Sequence, residues 1–298
     1  MKELGRLVSK TAVYAIIKMT KDGLVLRNDD TDLEFDTYLS RAKMTPFTVM
    51  TDDEGLRAHV EGVEGIEVTS LQSRSEDIQT ITFPLSYSSI STFGTCPRQF
   101  QHLHVLQDVI NESSAETIWG YECRKQIGDY ITHGAGITEP VAQNAIPYLN
   151  SIKAQDAKAE WKWGLTKDFE PCDFSAPDVA YYDTANYLAL LEGGRAFVVA
   201  WEMGDATDDF GKMDLFALAT FIHHPDVQKI RGMYVWLKTN THTKKDYTRA
   251  DVDRLKEQVR EKAKPVLRGV VRGEFPTKPS GLCRGRCPVK ECPEYKEV

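Results

Sequence analysis

Apolar and polar positions change their period several times along this chain, and each change marks an element. In the first 80 residues short apolar or alternating stretches (Ala12–Met19, Gly23–Arg27, Phe47–Met50, Gly65–Thr69) are parted by acidic turns such as Asn28-Asp29-Asp30 and Thr51-Asp52-Asp53-Glu54. That rhythm predicts a small α+β module with its own sheet. From Pro84 the pattern lengthens. Ser88 or Ser89 is placed to cap a helix whose apolar positions Ile90, Phe93, Phe100 and Leu103 recur at helical spacing. Further helical patterns cover about 117–133 and 139–155. Strict alternation over Ala159–Leu165 predicts a strand, and Tyr181–Leu191 and Arg195–Trp201 predict two more, joined as a hairpin across Glu192-Gly193-Gly194. A helix over about 208–223, a strand over Gly232–Lys238 and a long charged helix over about 249–271 complete the order. Helices, three meandering strands, helix, strand and helix predict an α/β fold with a mixed sheet flanked by helices. The change of rhythm places a boundary between an accessory module, 1–82, and a larger domain, 83–298.

Composition narrows the class without naming a function. Hydrophobic residues make up 41% and charged residues 27%, as in ordinary soluble globular proteins. No apolar run approaches the roughly 20 residues that span a bilayer, so no membrane partner is expected. The start, Met-Lys-Glu-Leu-Gly-Arg, has no signal-peptide core, and a cytoplasmic location is the expectation. Charge is unevenly spread. Residues 1–227 carry 19 Lys+Arg against 35 Asp+Glu, a balance of −16, whereas residues 228–290 carry 17 against 6, a balance of +11. A basic final third on an acidic body suits a nucleic-acid surface, or two halves of one fold that pair their charges.

Six cysteines are present, and three fall in the run Cys283-Arg-Gly-Arg-Cys287-Pro-Val-Lys-Glu-Cys292. Soft thiolate donors at Cys-x3-Cys-x4-Cys spacing, beside two prolines, point to a metal or iron–sulfur site rather than to disulfides. Zinc also accepts four thiolates. Cys123 and Cys172 lack such a context and read as core residues. His223-His224, before Pro225, reads as a helix end, and Trp161, Trp163, Trp201 and Trp236 read as packing residues on strands.

The local sequences in this order resemble the PD-(D/E)XK nuclease superfamily, in its RecB-like branch of CRISPR-associated and phage exonucleases that carry an iron–sulfur cluster. The likeness covers about residues 84–298. Leu85–Phe100, ending in Thr-Cys96-Pro-Arg-Gln-Phe, resembles the family's entry helix with its first cluster cysteine. Gly120-Tyr-Glu-Cys-Arg124 falls where the family has Gly-x-x-x-His, Tyr187–Gly204 resembles the catalytic hairpin, and Phe210–His224 resembles the helix after it. The resemblance implies a restriction-endonuclease-like core and a 4Fe–4S cluster, with zinc as the alternative, on Cys96, Cys283, Cys287 and Cys292. It also implies a divalent metal held by hairpin carboxylates, with a lysine two residues after the second.

Here the chemistry is missing. The family's first hairpin aspartate falls on Asn186, its Asp-x-Lys motif on Ala200-Trp201-Glu202, its helix histidine on Arg124 and its helix glutamine on Lys212. Glu160 alone keeps the acidic type. Five changes together imply a dismantled site, a pseudoenzyme that acts by binding DNA (single strands or ends), a protein partner, or both. A phage-encoded decoy, scaffold or inhibitor of a nuclease or defence complex, in a bacterial cytoplasm, fits that implication. Two alternatives stand beside it: an active Mg²⁺- or Mn²⁺-dependent exonuclease with a site moved to Glu160, Asp183 and Glu202, and an assembly protein without nucleic-acid contact. For a phosphate or partner surface the candidates are the polar loop from Lys238 through Lys244 and Lys245 to Arg249, and the helix positions Lys264, Arg268 and Arg272.

Overall fold

A computed structural model describes residues 5–8, 13–21, 23–27, 34–38, 47–69, 83–110, 114–152, 154 and 156–297. The expected acidic turn at 28–30 and the run-up to the 82/83 boundary, 70–82, lie outside the described residues. The chain divides into two compact units: residues 1–83, 88–111 and 262–298 in the first, and 84–87 and 112–261 in the second.

The first unit contains a six-stranded sheet of β1 (Gly5–Val8), β2 (Val13–Met19), β3 (Gly23–Arg27), β4 (Glu34–Tyr38), β5 (Phe47–Met50) and β6 (Ile66–Thr69), in the order β4-β3-β2-β1-β5-β6. All pairs are antiparallel except β5 and β6, which are parallel across the helix α1 (Glu54–Val60). Asp53 starts that helix because its carboxylate accepts the Leu56 N–H at 2.9 Å. Leu56 and Val60, four apart, then face inward on Leu7, Ile16, Leu24 and Val49. Four strands match their predicted stretches. The short β1 and the acid-rich β4 carry too little alternation to announce themselves.

The entry helix is broken where one helix was expected. Its pieces are α2 (Tyr87–Thr95), α3 (Pro97–Phe100) and a π-helical stretch, Gln101–Leu106. Cys96 is extended at φ −157° and serves as the cap of α3, with Pro97 as its first residue. Proline disfavours helical geometry in the residue before it, which explains the break. Phe100 is fully buried and holds the pieces together through the rings of Phe83, Phe93 and Phe275.

The second unit is a mixed α/β domain. It comprises α4 (Ala115–His133), α5 (Ile146–Ser151), β7 (Asp156–Thr166), β8 (Pro171–Cys172), β9 (Val179–Leu191), β10 (Arg195–Glu202), α6 (Gly211–His223), β11 (Lys229–Trp236) and β12 (Thr241–Thr248). The helix α7 (Val252–Arg272) begins in this unit, and the division between units falls within it. The sheet order is β12-β11-β10-β9-β7-β8, with β10 and β11 parallel and the other pairs antiparallel.

On one face of the sheet, Cys123 and Ile127 of α4 pack with Tyr187, Val199, Trp201, Met203 and Val235. On the other, α6 lays Phe216 edge-on to Trp163 at 6.2 Å. Gly232 makes the seating of α6 close: a Cβ added there would lie 2.3 Å from Met213 Cγ. The four strand tryptophans named above are buried, as expected. The segment after Lys238 differs from expectation. It is not a loop but the edge strand β12, whose exposed His242, Lys244 and Asp246 alternate with Thr243, Lys245 and Tyr247 on the other side. One apolar residue in eight left no alternation to read. The predicted helix over 139–155 shortens to a 3-10 turn at Ala142–Ala145 followed by α5.

Candidate functional site

In the second unit four of the residues that the sequence resemblance aligned with catalytic positions form two separate pairings. Glu160 sits in β7 at φ 46°, a left-handed value rare for a non-glycine residue and costing about 1 kcal/mol or more. It is skipped in the ladder, which runs from Ala159 opposite Tyr187 to Trp161 opposite Ala185. Its stem lies beside Gly128 of α4. The Asn186 amide nitrogen donates to Glu160 Oε1 at 3.0 Å, and the Asn186 carbonyl accepts the Trp201 N–H at 3.0 Å. The β9–β10 ladder ends at Tyr187 and Val199, so the Asn186 side chain supplies the acceptor that main chain no longer provides. A carboxylate could accept from Trp201 but could not donate to Glu160.

Glu202 and Lys212 form the second pairing. Alternation along β10 turns Glu202 away from the Trp201 side and toward α6. There Lys212, in the first turn, meets it at 2.9 Å, both side chains about a quarter exposed. Ala200 is fully buried, and Arg124 lies along α4 with its guanidinium beside Gly120.

Polar neighbours surround the Glu202 end. Asp183 accepts the N–H groups of Tyr87 at 3.1 Å and Thr184 at 2.8 Å. Burial raises its carboxyl above the usual range, against those bonds and the nearby Lys212 charge. The Tyr87 hydroxyl donates to Asp209 at 3.2 Å and is pushed up to about 12, first by burial and then by Asp209. Asp209 also accepts the Gly211 N–H at 2.8 Å, which starts α6. Among the described residues no three His, Cys, Asp or Glu side chains are gathered to hold a metal ion. Glu160, Asp183 and Glu202 are therefore not assembled as the relocated site required.

Most of the candidate cations already have partners. Lys238 pairs with Glu116 and lies over the Trp119 ring. Lys245 pairs with Asp214 at 2.7 Å, beside the Tyr247 hydroxyl that donates to the same oxygen. Arg249 is a helix-ending residue: its guanidinium donates to the carbonyls of Val227, Phe221 and His224 at 2.8, 3.1 and 2.9 Å. Arg272 stands 3.8 Å from Glu274, and Lys264 is also engaged. Lys244, on the exposed side of β12, and Arg268 stay without an ion pair among the described residues.

The four named cysteines meet in the first unit. Cys96, Cys283, Cys287 and Cys292 line one cavity together with Arg98, Lys278 and Leu282. Two of the sulfurs take main-chain donors: Ser280 N–H reaches Cys283 Sγ at 3.4 Å, and Val289 N–H bonds to Cys287. Burial pushes the Cys287 thiol up, and the other three sulfurs add to the shift. Cys123 is fully buried and Cys172 half-buried, both away from this set.

The strand and helix patterns could not reveal the Asn186 bridge or the Glu202–Lys212 pair. A signal for the pair was present in the resemblance, which set Glu202 where the superfamily has a lysine and Lys212 where it has a glutamine.

The fold class is a mixed α/β domain on a six-stranded sheet flanked by helices. No family model and no curated protein matches the chain. Among solved structures it is similar to a proposed exonuclease from Eubacterium rectale, at 11% identity and a TM-score of 0.42, over 74% of this chain and 88% of that one. It is also similar to the protein SSO0001, at 10% identity and a TM-score of 0.32, over 76% of this chain and 93% of that one. Both likenesses are slight. Among the described residues no helix is long and apolar enough to cross a membrane.

Proposed function

We propose that the second unit is a nuclease-like scaffold without phosphodiester cleavage, and that the protein acts by binding DNA or a protein partner, as a decoy, scaffold or inhibitor would. The observation that carries this reading is the Asn186 amide, held between the Glu160 carboxylate and the Trp201 N–H. A hard divalent cation needs several anionic oxygens converging on one point. Here an amide nitrogen occupies one carboxylate's inner side and the Lys212 ammonium occupies the other's. The Glu202 charge is balanced by an ammonium from within the protein, and one Glu160 oxygen is taken up by a neutral amide donor. The test is incubation of linear duplex and single-stranded DNA with the protein and Mg²⁺ or Mn²⁺. No turnover is expected. Degradation that Glu160→Ala abolishes would overturn the reading in favour of a working exonuclease.

We also propose that Cys96, Cys283, Cys287 and Cys292 hold a 4Fe–4S cluster. The donor set is all sulfur and lines one cavity. A single tetrahedral ion draws its four sulfurs to about 2.3 Å from one centre, whereas a four-iron cluster takes each thiolate on a separate iron. The cluster would supply cross-linking of distant chain segments. Anaerobically purified protein should contain iron and acid-labile sulfide, whereas colourless protein with zinc refutes the cluster.

A further inference from the structure

We infer that the segment from Cys283 to Cys292 is a phosphate-binding surface for a nucleic-acid backbone, with Arg284, Arg286 and Lys290 as its contacts. The inference deepens the binding role proposed above and rests on it. Between Glu274 and Glu291 the chain carries Lys278, Arg284, Arg286 and Lys290 and no acidic residue. Arg284, Arg286 and Lys290 are exposed, and none has a side-chain ion pair or hydrogen bond to a described residue. That contrasts with Lys212, Lys238 and Lys245, each held by a carboxylate.

The backbone beneath the arginines is fixed. Gly285 turns the chain at φ 69°, where a side chain would be strained. Its N–H donates to the Lys296 carbonyl at 3.0 Å, Lys296 N–H returns to the Cys283 carbonyl at 2.8 Å, and Arg286 N–H reaches the Leu282 carbonyl at 3.2 Å. Two guanidiniums are thus presented from a short tied turn between two cysteines. Presenting them this way reduces the ordering cost of binding.

The chemistry favours phosphodiester over an acidic protein. Guanidinium forks match phosphate oxygens in pairs. Protein interfaces centre on buried apolar anchors, and Leu282, 39% exposed, is the one exposed large hydrophobic residue of the loop region. Nucleic-acid interfaces are more polar and strongly positive.

The test is anisotropy of a labelled oligonucleotide, single-stranded and duplex, in EDTA across a salt series. Each phosphate contact adds about one unit to the slope of log affinity against log salt. Arg284→Ala/Arg286→Ala should lower that slope by about two, with iron content and melting temperature unchanged. Should the double variant lose its fold, Lys290→Ala alone should lower the slope by about one. An unchanged slope overturns the inference, as does displacement by polyglutamate as effective as by DNA, which would mean an acidic protein partner. Mn²⁺-dependent cleavage with the slope lowered sinks the non-catalytic reading and leaves this one standing. No cleavage with the slope unchanged does the reverse.

Discussion

Asn186→Asp isolates the feature on which the functional reading turns. It preserves shape and the acceptor for Trp201 but replaces the donor toward Glu160 with a second carboxylate. The bond lost joins an amide to a charged acceptor at 3.0 Å, worth about 1.5 kcal/mol in so exposed a place. Two like charges at a similar separation, largely in water, add about 1 kcal/mol of repulsion. The sum, about 2.5 kcal/mol, lowers the melting temperature by roughly 4 °C in a protein of this size. Sign follows from linkage. The introduced carboxyl is held above its unfolded range, so the folded chain binds more protons, and the deficit present near pH 7.5 shrinks as pH falls toward 4. A divalent cation between the carboxylates should also restore stability to the variant but not to the parent protein. Calorimetry or dye-monitored melting in EDTA, then in Mn²⁺, from pH 4.5 to 7.5, measures each part. Equal melting of variant and parent at pH 7.5 in EDTA would refute the reasoning, because it would mean the Asn186 amide contributes nothing at Glu160.

Arg249→Met should destabilise the second unit by about 3 kcal/mol in denaturant unfolding, since three carbonyls near the end of α6 lose their donor. Arg249→Lys should recover only part of it, and a neutral result for Met would mean water replaces the guanidinium. Asp183→Asn keeps an acceptor for Tyr87 but removes a carboxyl raised by burial. The parent protein should lose stability as pH rises from the ordinary carboxylate range through the Asp183 ionisation, and the variant should lose less; superimposable pH profiles would refute that. Cys287→Ser should reduce bound iron and speed limited proteolysis within 275–297, because metal binding is coupled to folding. Unaltered proteolysis argues against any metal at the four cysteines.

Period alone sufficed for most of the larger domain. Alternation placed β7, β9, β10 and β11, and the turn at Glu192–Gly194 joins β9 to β10 as expected. It failed where polarity and exposure coincide. β12 is held by main-chain pairing to β11, and Tyr247 is the one apolar residue among Thr243, Lys245 and Tyr247 on its inner side, so nothing in its residue order distinguished it from a loop. The break at Cys96-Pro97 was readable in the proline but outweighed by the apolar spacing around it. For the candidate site, the positions picked out by the resemblance were legible one by one, whereas their pairing was not. Asn186 reaches Glu160 and Trp201 across 26 and 15 residues, and such contacts have no local signature. Arg249 looked like a phosphate contact because a guanidinium near a basic run has two uses, and only its distance to α6 carbonyls separates them.

The bare backbone at Gly232 carries a consequence for the charges it never touches. Met213 rests on it, and the preceding residue, Lys212, reaches Glu202 at 2.9 Å from the same turn. One added methyl would lift that turn by an ångström or so, an order of displacement that core overpacking commonly forces. The ammonium would then fall short, and Glu202 would become an acid without a counter-ion. A position with neither charge nor side chain thus meters the electrostatics at the end of β10. Substitution at 232 would be felt at the Glu202–Lys212 pair as well as in the packing of α6.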